Sequence, residues 1–282
     1  MKPRKVPFSV AIPSSLVSEI PHLREKTSLI GLVGRAAAIF RVNEIYIYPD
    51  YPNESRFIKL ILDYMETPQY LRKRLFKRRK ELEFAGILPP LRTPNHPTEN
   101  RSFMLKKGDI REGVVLSRSG NKFMVDIGVE KLLKASGGAP PIGSMAAFRI
   151  TRLAPELEGV FTRDKEIEDY WGFDVRISKR RIGEFVLNED FGLTIATSRL
   201  GKNIRDVEME LVSRLNNAKS VLIAFGSHKR GLKDILAREG LTLDIFNYAL
   251  NTVPEQGCET IRTEEAIYST MAILNFLCCQ QA

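Results

Sequence analysis

Cysteine is nearly absent from this chain: three residues in 282, at Cys258, Cys278 and Cys279. Adjacent cysteines rarely bridge one another, and no CxxC or Cys/His metal spacing occurs. Neither a disulfide framework nor a metal site is expected, and a reducing compartment is. No apolar run approaches the ~20 residues of a membrane-spanning helix. The basic start Met1–Lys5 is followed by an apolar run that is short and broken by Pro7 and Pro13, so it does not read as a signal peptide and the cytoplasm is the expected location. Nucleotide fingerprints are missing too. There is no GxGxxG, which argues against a dinucleotide fold. Gly226 to Gly231 has phosphate-loop spacing, but Leu232 and Lys233 stand where that motif needs Lys and then Ser or Thr. Acidic residues are outnumbered, 34 against 43 Lys and Arg, and the formal net charge of +9 points to a polyanionic partner.

What is present is an alternation of short apolar runs and helical stripes. Phe8 to Ile12 reads as a buried strand closed by Pro13. Ser28 to Phe40 carries Leu29, Leu32, Val33, Ala36, Ala37 and Phe40 at helical spacing, and Glu44 to Tyr48 alternates as a strand does. Strand, helix, strand in that order implies parallel pairing with a right-handed crossover. Past a segment with four prolines, Ile87 to Pro97, the texture changes. Arg111 to Arg118, Lys122 to Ile127, Glu130 to Leu133, Ser144 to Leu153 and Gly159 to Thr162 read as five short strands, the pattern of a small OB-like β-barrel. From Asp164 strand and helix alternate again: strands at Trp171 to Ile177 and Leu193 to Ala196, an amphipathic helix through Ile204, Val207, Leu211, Val212 and Leu215, then strands at Val221 to Phe225 and Leu243 to Phe246. The expected division is an α/β domain formed by 1–92 and 164–282 with the barrel, 93–163, inserted in it.

Positive charge is concentrated. A helix expected from Leu71 to Glu81 carries Arg72, Lys73, Arg74, Lys77, Arg78 and Arg79, and Lys179, Arg180 and Arg181 form a basic turn. Ordinary solvated faces mix both signs, so these two clusters read as contacts to a nucleic-acid backbone. Polar or glycine-bearing loops follow three strand ends, at Thr197 to Gly201, Gly226 to Gly231 and Asn251 to Gly257. Loops of that kind at the ends of parallel strands form a binding crevice.

The segment AFGSHKRGL, Ala224 to Leu232, resembles the second motif of the SPOUT RNA methyltransferases, and VPEQGCETIRTEEAIYSTMA, Val253 to Ala272, is similar to their third. Gly31 and Arg35 with Ala36 and Ala37 fit the first. The resemblance implies a trefoil-knotted α/β fold, S-adenosylmethionine as cofactor, RNA (rRNA or tRNA) as substrate and a homodimer whose site is completed across the interface. It implies a cofactor cradle of Thr197, Ser198, Leu200 and Gly201 on one side, with Ala224, Phe225, Gly226 and Gly231 beneath. Asn251, Thr252, Val253, Pro254, Gln256, Gly257, Thr260 and Ile261 would complete it. Candidate catalytic residues are Arg35, Arg199, Arg262 and Glu264. An arginine stays protonated and can only orient phosphate or stabilise negative charge, whereas Glu264 can accept a proton. Thr263 is the expected N-cap of the last helix. Leu29, His228 and Arg262 stand where many 2′-O-methylating members carry Asn, Glu and Asn, which points to a base nitrogen instead of the ribose. The competing expectation is an RNA-binding ribosome-assembly factor that keeps the fold without the activity.

Overall fold

The computed structural model describes residues 1–138 and 140–279, the side chain of Cys279 excepted. In chain order its elements are β1 (Phe8–Pro13), α1 (Leu23–Ile39), β2 (Glu44–Tyr48), α2 (Ser55–Glu66), α3 (Gln69–Leu75), β3 (Ile110–Ser119), β4 (Lys122–Asp126), β5 (Leu133–Ser136), β6 (Met145–Arg152), β7 (Glu158–Phe161), β8 (Asp174–Ile177), α4 (Ile182–Asn188), β9 (Leu193–Asn203), α5 (Glu208–Asn217), β10 (Val221–Ala224), α6 (Leu232–Ala237), β11 (Tyr248–Asn251) and α7 (Thr263–Cys279). Contacts divide the chain into two units. One comprises residues 4–65, 81–90 and 173–279; the other comprises 1–3, 66–80, 91–138 and 140–172, so the basic segment after α2 groups with the barrel residues. No described helix is long and apolar enough to cross a membrane.

The first unit is built on a six-stranded sheet in the order β11-β9-β10-β1-β2-β8, every pair parallel. The central strands are the most apolar: all six residues of β1 and all four of β10 are buried, as strands covered on both faces must be. At the edge, β8 buries only Val175. Helix α1 buries small residues, Gly31, Gly34, Ala36, Ala37 and Ala38, which lets its neighbours come close. A methyl group on Gly31 would sit 2.9 Å from Leu88 and 3.0 Å from Pro89, so this glycine is a packing residue. One turn later Arg35 donates to the Pro90 carbonyl at 2.8 Å.

The second unit is a closed five-stranded barrel, β3-β4-β5-β7-β6, filled by Val115, Phe123, Val125, Ile127, Leu133, Ala135, Phe148 and Ile150. Parallel pairing of β5 with β7 closes it.

Several local expectations are corrected. The strand expected at Leu243 to Phe246 is a 3₁₀ turn at Leu243–Ile245, and the edge strand is Tyr248–Asn251. The apolar run is apolar because its side chains pack beside Ile182, Phe185 and Leu236, not because it pairs. The strand beginning at Trp171 starts instead at Asp174, since Gly172 adopts φ +89° and interrupts any extended run. The basic helix ends at Leu75; the chain is then non-helical until a 3₁₀ turn at Lys80–Leu82. Continuing the helix would stack Lys73 on Lys77 and Arg74 on Arg78, like-charge pairs that destabilise it. The barrel strand expected at Glu130 to Leu133 lies at Leu133–Ser136.

Candidate functional site

A cavity of about 440 Å³ opens at the C-terminal ends of β10 and β11 and beside residues 197–200, which were expected in a loop and lie inside β9. Each strand contributes in its own way. In the pairing of β9 with β11, Ala249 lies opposite Ala196 and Leu250 opposite Lys202, so residues 197–201 bulge out between successive partners. The Thr197 hydroxyl ties the start of that bulge to the Ala224 carbonyl at 2.9 Å. After β10 the chain turns at Phe225 and Gly226. Their carbonyls are held by the Tyr48 hydroxyl at 2.7 Å and the Thr263 hydroxyl at 2.9 Å. The loop that follows closes on itself, with Ser227 N–H donating to the Arg230 carbonyl at 2.9 Å. After β11, Asn251 accepts from Val253 N–H at 3.1 Å and donates to the Arg199 carbonyl at 3.2 Å. Arg199 Nη1 and Gln256 Nε2 both donate to the Glu259 carbonyl, at 2.6 and 3.2 Å.

Twelve of the expected cradle residues line this cavity: Thr197, Ser198, Leu200, Phe225, Gly226, Gly231, Asn251, Thr252, Val253, Gln256, Thr260 and Ile261. Gly201, Ala224, Pro254 and Gly257 do not. Gly201 instead permits strand contact, since a methyl group there would meet the Ala249 carbonyl oxygen at 2.6 Å. Of the candidate catalytic residues only Arg199 is in the lining; Arg35, Arg262 and Glu264 are not. His228 lines it, as do Ser227, Lys229, Lys233, Asp234, Leu250, Glu259, Thr263 and Ala266, which sequence reasoning did not select. Lys233 and Asp234 belong to the first turn of α6, a short helix with no long periodic stripe to announce it. Thr263 was expected to cap α7. It is instead the first helical residue, and its hydroxyl is spent on Gly226; the Glu265 carboxylate reaches back to Arg262 N–H at 2.8 Å, half of a capping box.

Glu264 is 5% exposed, and its Oε2 has no hydrogen-bond partner. Burial pushes its carboxyl above the usual range, with Glu265 adding to the effect and Arg262 and His228 opposing it. It is a buried carboxylate between two cavity-lining residues, Thr263 and Ala266.

The basic residues separate by their partners. Arg72 donates to the Thr67 carbonyl and Arg74 pairs with Asp126 at 2.7 Å, while Lys73, Lys77, Arg78 and Arg79 are exposed. In the second cluster Arg180 pairs with Glu184 and Glu189, and Lys179 and Arg181 are exposed. Cys258 is exposed and Cys278 half-buried. No cluster of metal-ligating side chains occurs among the described residues.

A family model described as "Putative RNA methyltransferase" matches residues 7–274. An uncharacterized protein of Halobacterium salinarum is 33% identical, over 94% of this chain and 98% of its own. The 28S rRNA (uridine-N(3))-methyltransferase of Drosophila melanogaster is 30% identical, over 97% of this chain and 62% of that protein. The Homo sapiens protein of the same name is 29% identical, over 96% of this chain and 78% of its own. The chain belongs to this family of RNA methyltransferases, the class to which its motifs pointed.

Proposed function

We propose that this RNA methyltransferase transfers a methyl group from S-adenosylmethionine to a ring nitrogen of a uridine in ribosomal RNA; its fly and human relatives are named for uridine-N(3) methylation of 28S rRNA. The observation that carries the reading is the cavity formed by the β9 bulge and the ends of β10 and β11. It falls in the size range of cofactor pockets, and its walls present main-chain groups on glycine-bearing turns. The fit is supported by Gly231, where an added methyl would meet nothing within 4 Å, so a ligand can lie directly against the backbone. The donor supplies an electrophilic methyl group on a sulfonium. Asn251, Thr252 and Val253, with the 225–227 turn, are assigned to holding the adenosine and amino-acid portions.

An imide nitrogen carries a proton that must leave as the new N–C bond forms and the S–C bond breaks. Glu264 is assigned as proton acceptor, because a desolvated carboxylate with an unpartnered oxygen is a stronger base than an exposed one. Losing the proton leaves negative charge on the ring carbonyls, and Arg199, with Arg262, is assigned to stabilise it. The exposed Lys73, Lys77, Arg78, Arg79, Lys179 and Arg181 are assigned to RNA phosphates. We further assign the barrel to the OB type, the sheet to the trefoil-knotted class, the protein to the cytoplasm, and the active form to a homodimer. Support for the last is an exposed apolar set on two packed helices: Leu32 (41%) and Ile39 (48%) on α1, and Phe276 (63%) on α7.

The test is calorimetric titration with S-adenosylhomocysteine, followed by methylation of an rRNA transcript and nucleoside mass spectrometry. Folded protein that binds no S-adenosylhomocysteine at millimolar concentration overturns the donor site. Label recovered on ribose instead of a base nitrogen overturns the acceptor.

A further inference from the structure

Tyr51 lies three residues past the end of β2 and is 76% exposed, the most exposed aromatic side chain in the sheet unit. Its main chain is nonetheless tied down. Asp50, just before it, has a side chain only 5% exposed and forms an ion pair with Arg230 at 3.0 Å. The same carboxylate accepts from the Ser15 hydroxyl, and the Ser14 hydroxyl bonds both the N–H and the C=O of Asp50, at 2.8 Å each. Arg230 also donates to the Tyr51 carbonyl. Three residues on, Glu54 N–H donates to the Ser14 carbonyl at 2.9 Å.

Arg230 closes the loop whose Gly226, Ser227, His228, Lys229 and Gly231 line the cavity. One half-buried guanidinium therefore fixes the cavity loop and the Tyr51 backbone to each other. The outcome is an aromatic ring presented to solvent at a set position, one hydrogen bond from the donor loop. A tyrosine ring is amphipathic and loses little conformational freedom when covered, so one held this way is suited to stacking.

We propose that Tyr51 is the stacking platform for the acceptor nucleobase or its immediate neighbour, with Asp50 and Arg230 as the positioning pair that sets it against the cofactor loop. This rests on the reading that the acceptor is an RNA base. Stacking is tolerant of base identity, so the platform supplies affinity and orientation while selection of the atom stays with the cavity.

The test compares Y51A, Y51F and Y51W with wild-type protein, using an rRNA transcript and S-adenosylhomocysteine as probes. Loss of one stacked base predicts that Y51A lowers kcat/KM for the transcript by about tenfold or more. Y51F and Y51W should stay within a few-fold of wild type, and all three should keep wild-type S-adenosylhomocysteine affinity. The indole of Y51W should be quenched by the transcript beyond the quenching seen in wild-type protein, which has only Trp171. An unimpaired Y51A, a Y51F as damaged as Y51A, or an unquenched Y51W overturns the proposal. Wild-type protein that binds the transcript without methylating it overturns the functional reading instead, and the Y51W quenching still decides the platform.

Discussion

Two glycines line the same cavity, and the structure assigns them opposite tolerances. A methyl group on Gly226 would lie 2.7 Å from the Arg230 carbonyl oxygen, 2.8 Å from Leu232 N and 2.9 Å from Gly231 C, all backbone atoms. Ordinary contact at about 3.5 Å would require those segments to part by roughly half an ångström or more. They are not free to part: Tyr48 holds Phe225, Thr263 holds Gly226, and Ser227 is bonded to Arg230. Overpacking of this kind costs about 1–3 kcal/mol. If the loop keeps its shape the cost appears as lost stability; if it yields, it appears as roughly 5- to 150-fold weaker cofactor affinity. Gly231 has φ −64° and nothing within 4 Å of an added methyl, so G231A should leave stability unchanged and affect affinity only through contact with the ligand. Thermal melts and titration with S-adenosylhomocysteine read both quantities. A G226A protein with wild-type stability and affinity, or a G231A protein destabilised as much as G226A, would refute the reasoning.

Glu112 is buried, accepts from the Trp171 indole, and has its pKa pushed up by burial to about 7 from 4.5. The folded state holds that proton more tightly than the unfolded chain, so its contribution to stability falls as pH rises from 4.5 through 7. E112Q should therefore be more stable than wild type at pH 8, by at most about 3 kcal/mol, and the gain should vanish near pH 4 in urea titrations. Replacing Lys73, Lys77, Arg78 and Arg79 by Glu should flatten the dependence of log K on log salt for the transcript by about 3 units while sparing S-adenosylhomocysteine binding; an unchanged slope would mean these cations do not meet phosphate. Phe276→Asp should shift the sedimentation profile from dimer to monomer, and a wild-type protein that is already monomeric would remove that assignment.

Composition and local pattern were sufficient for the class of fold. The runs at Phe8, Glu44, Leu193 and Val221 became parallel strands, and four of the five short runs after the proline segment, with Leu133–Ser136 as the fifth strand, became a closed barrel, because strand alternation and buried runs are local consequences of which face a residue must hide. The loops after β10 and β11 were legible from their glycine, asparagine and threonine, whereas the stretch expected as a loop at Thr197 to Gly201 is a bulge inside β9; of the sixteen cradle residues that the family resemblance implied, twelve line one cavity. The tertiary structure alone decided the rest. Leu243 to Phe246 looks like a strand by composition, but whether a short apolar run pairs or packs depends on which neighbours reach it. Six cations within eight residues look helical until their mutual repulsion is set against the absence of acids among them to relieve it. Thr263 has the composition of a cap, yet its hydroxyl is taken by a carbonyl 37 residues away. The ion pair of Asp50 with Arg230 spans 180 positions, and no periodicity encodes a contact of that range.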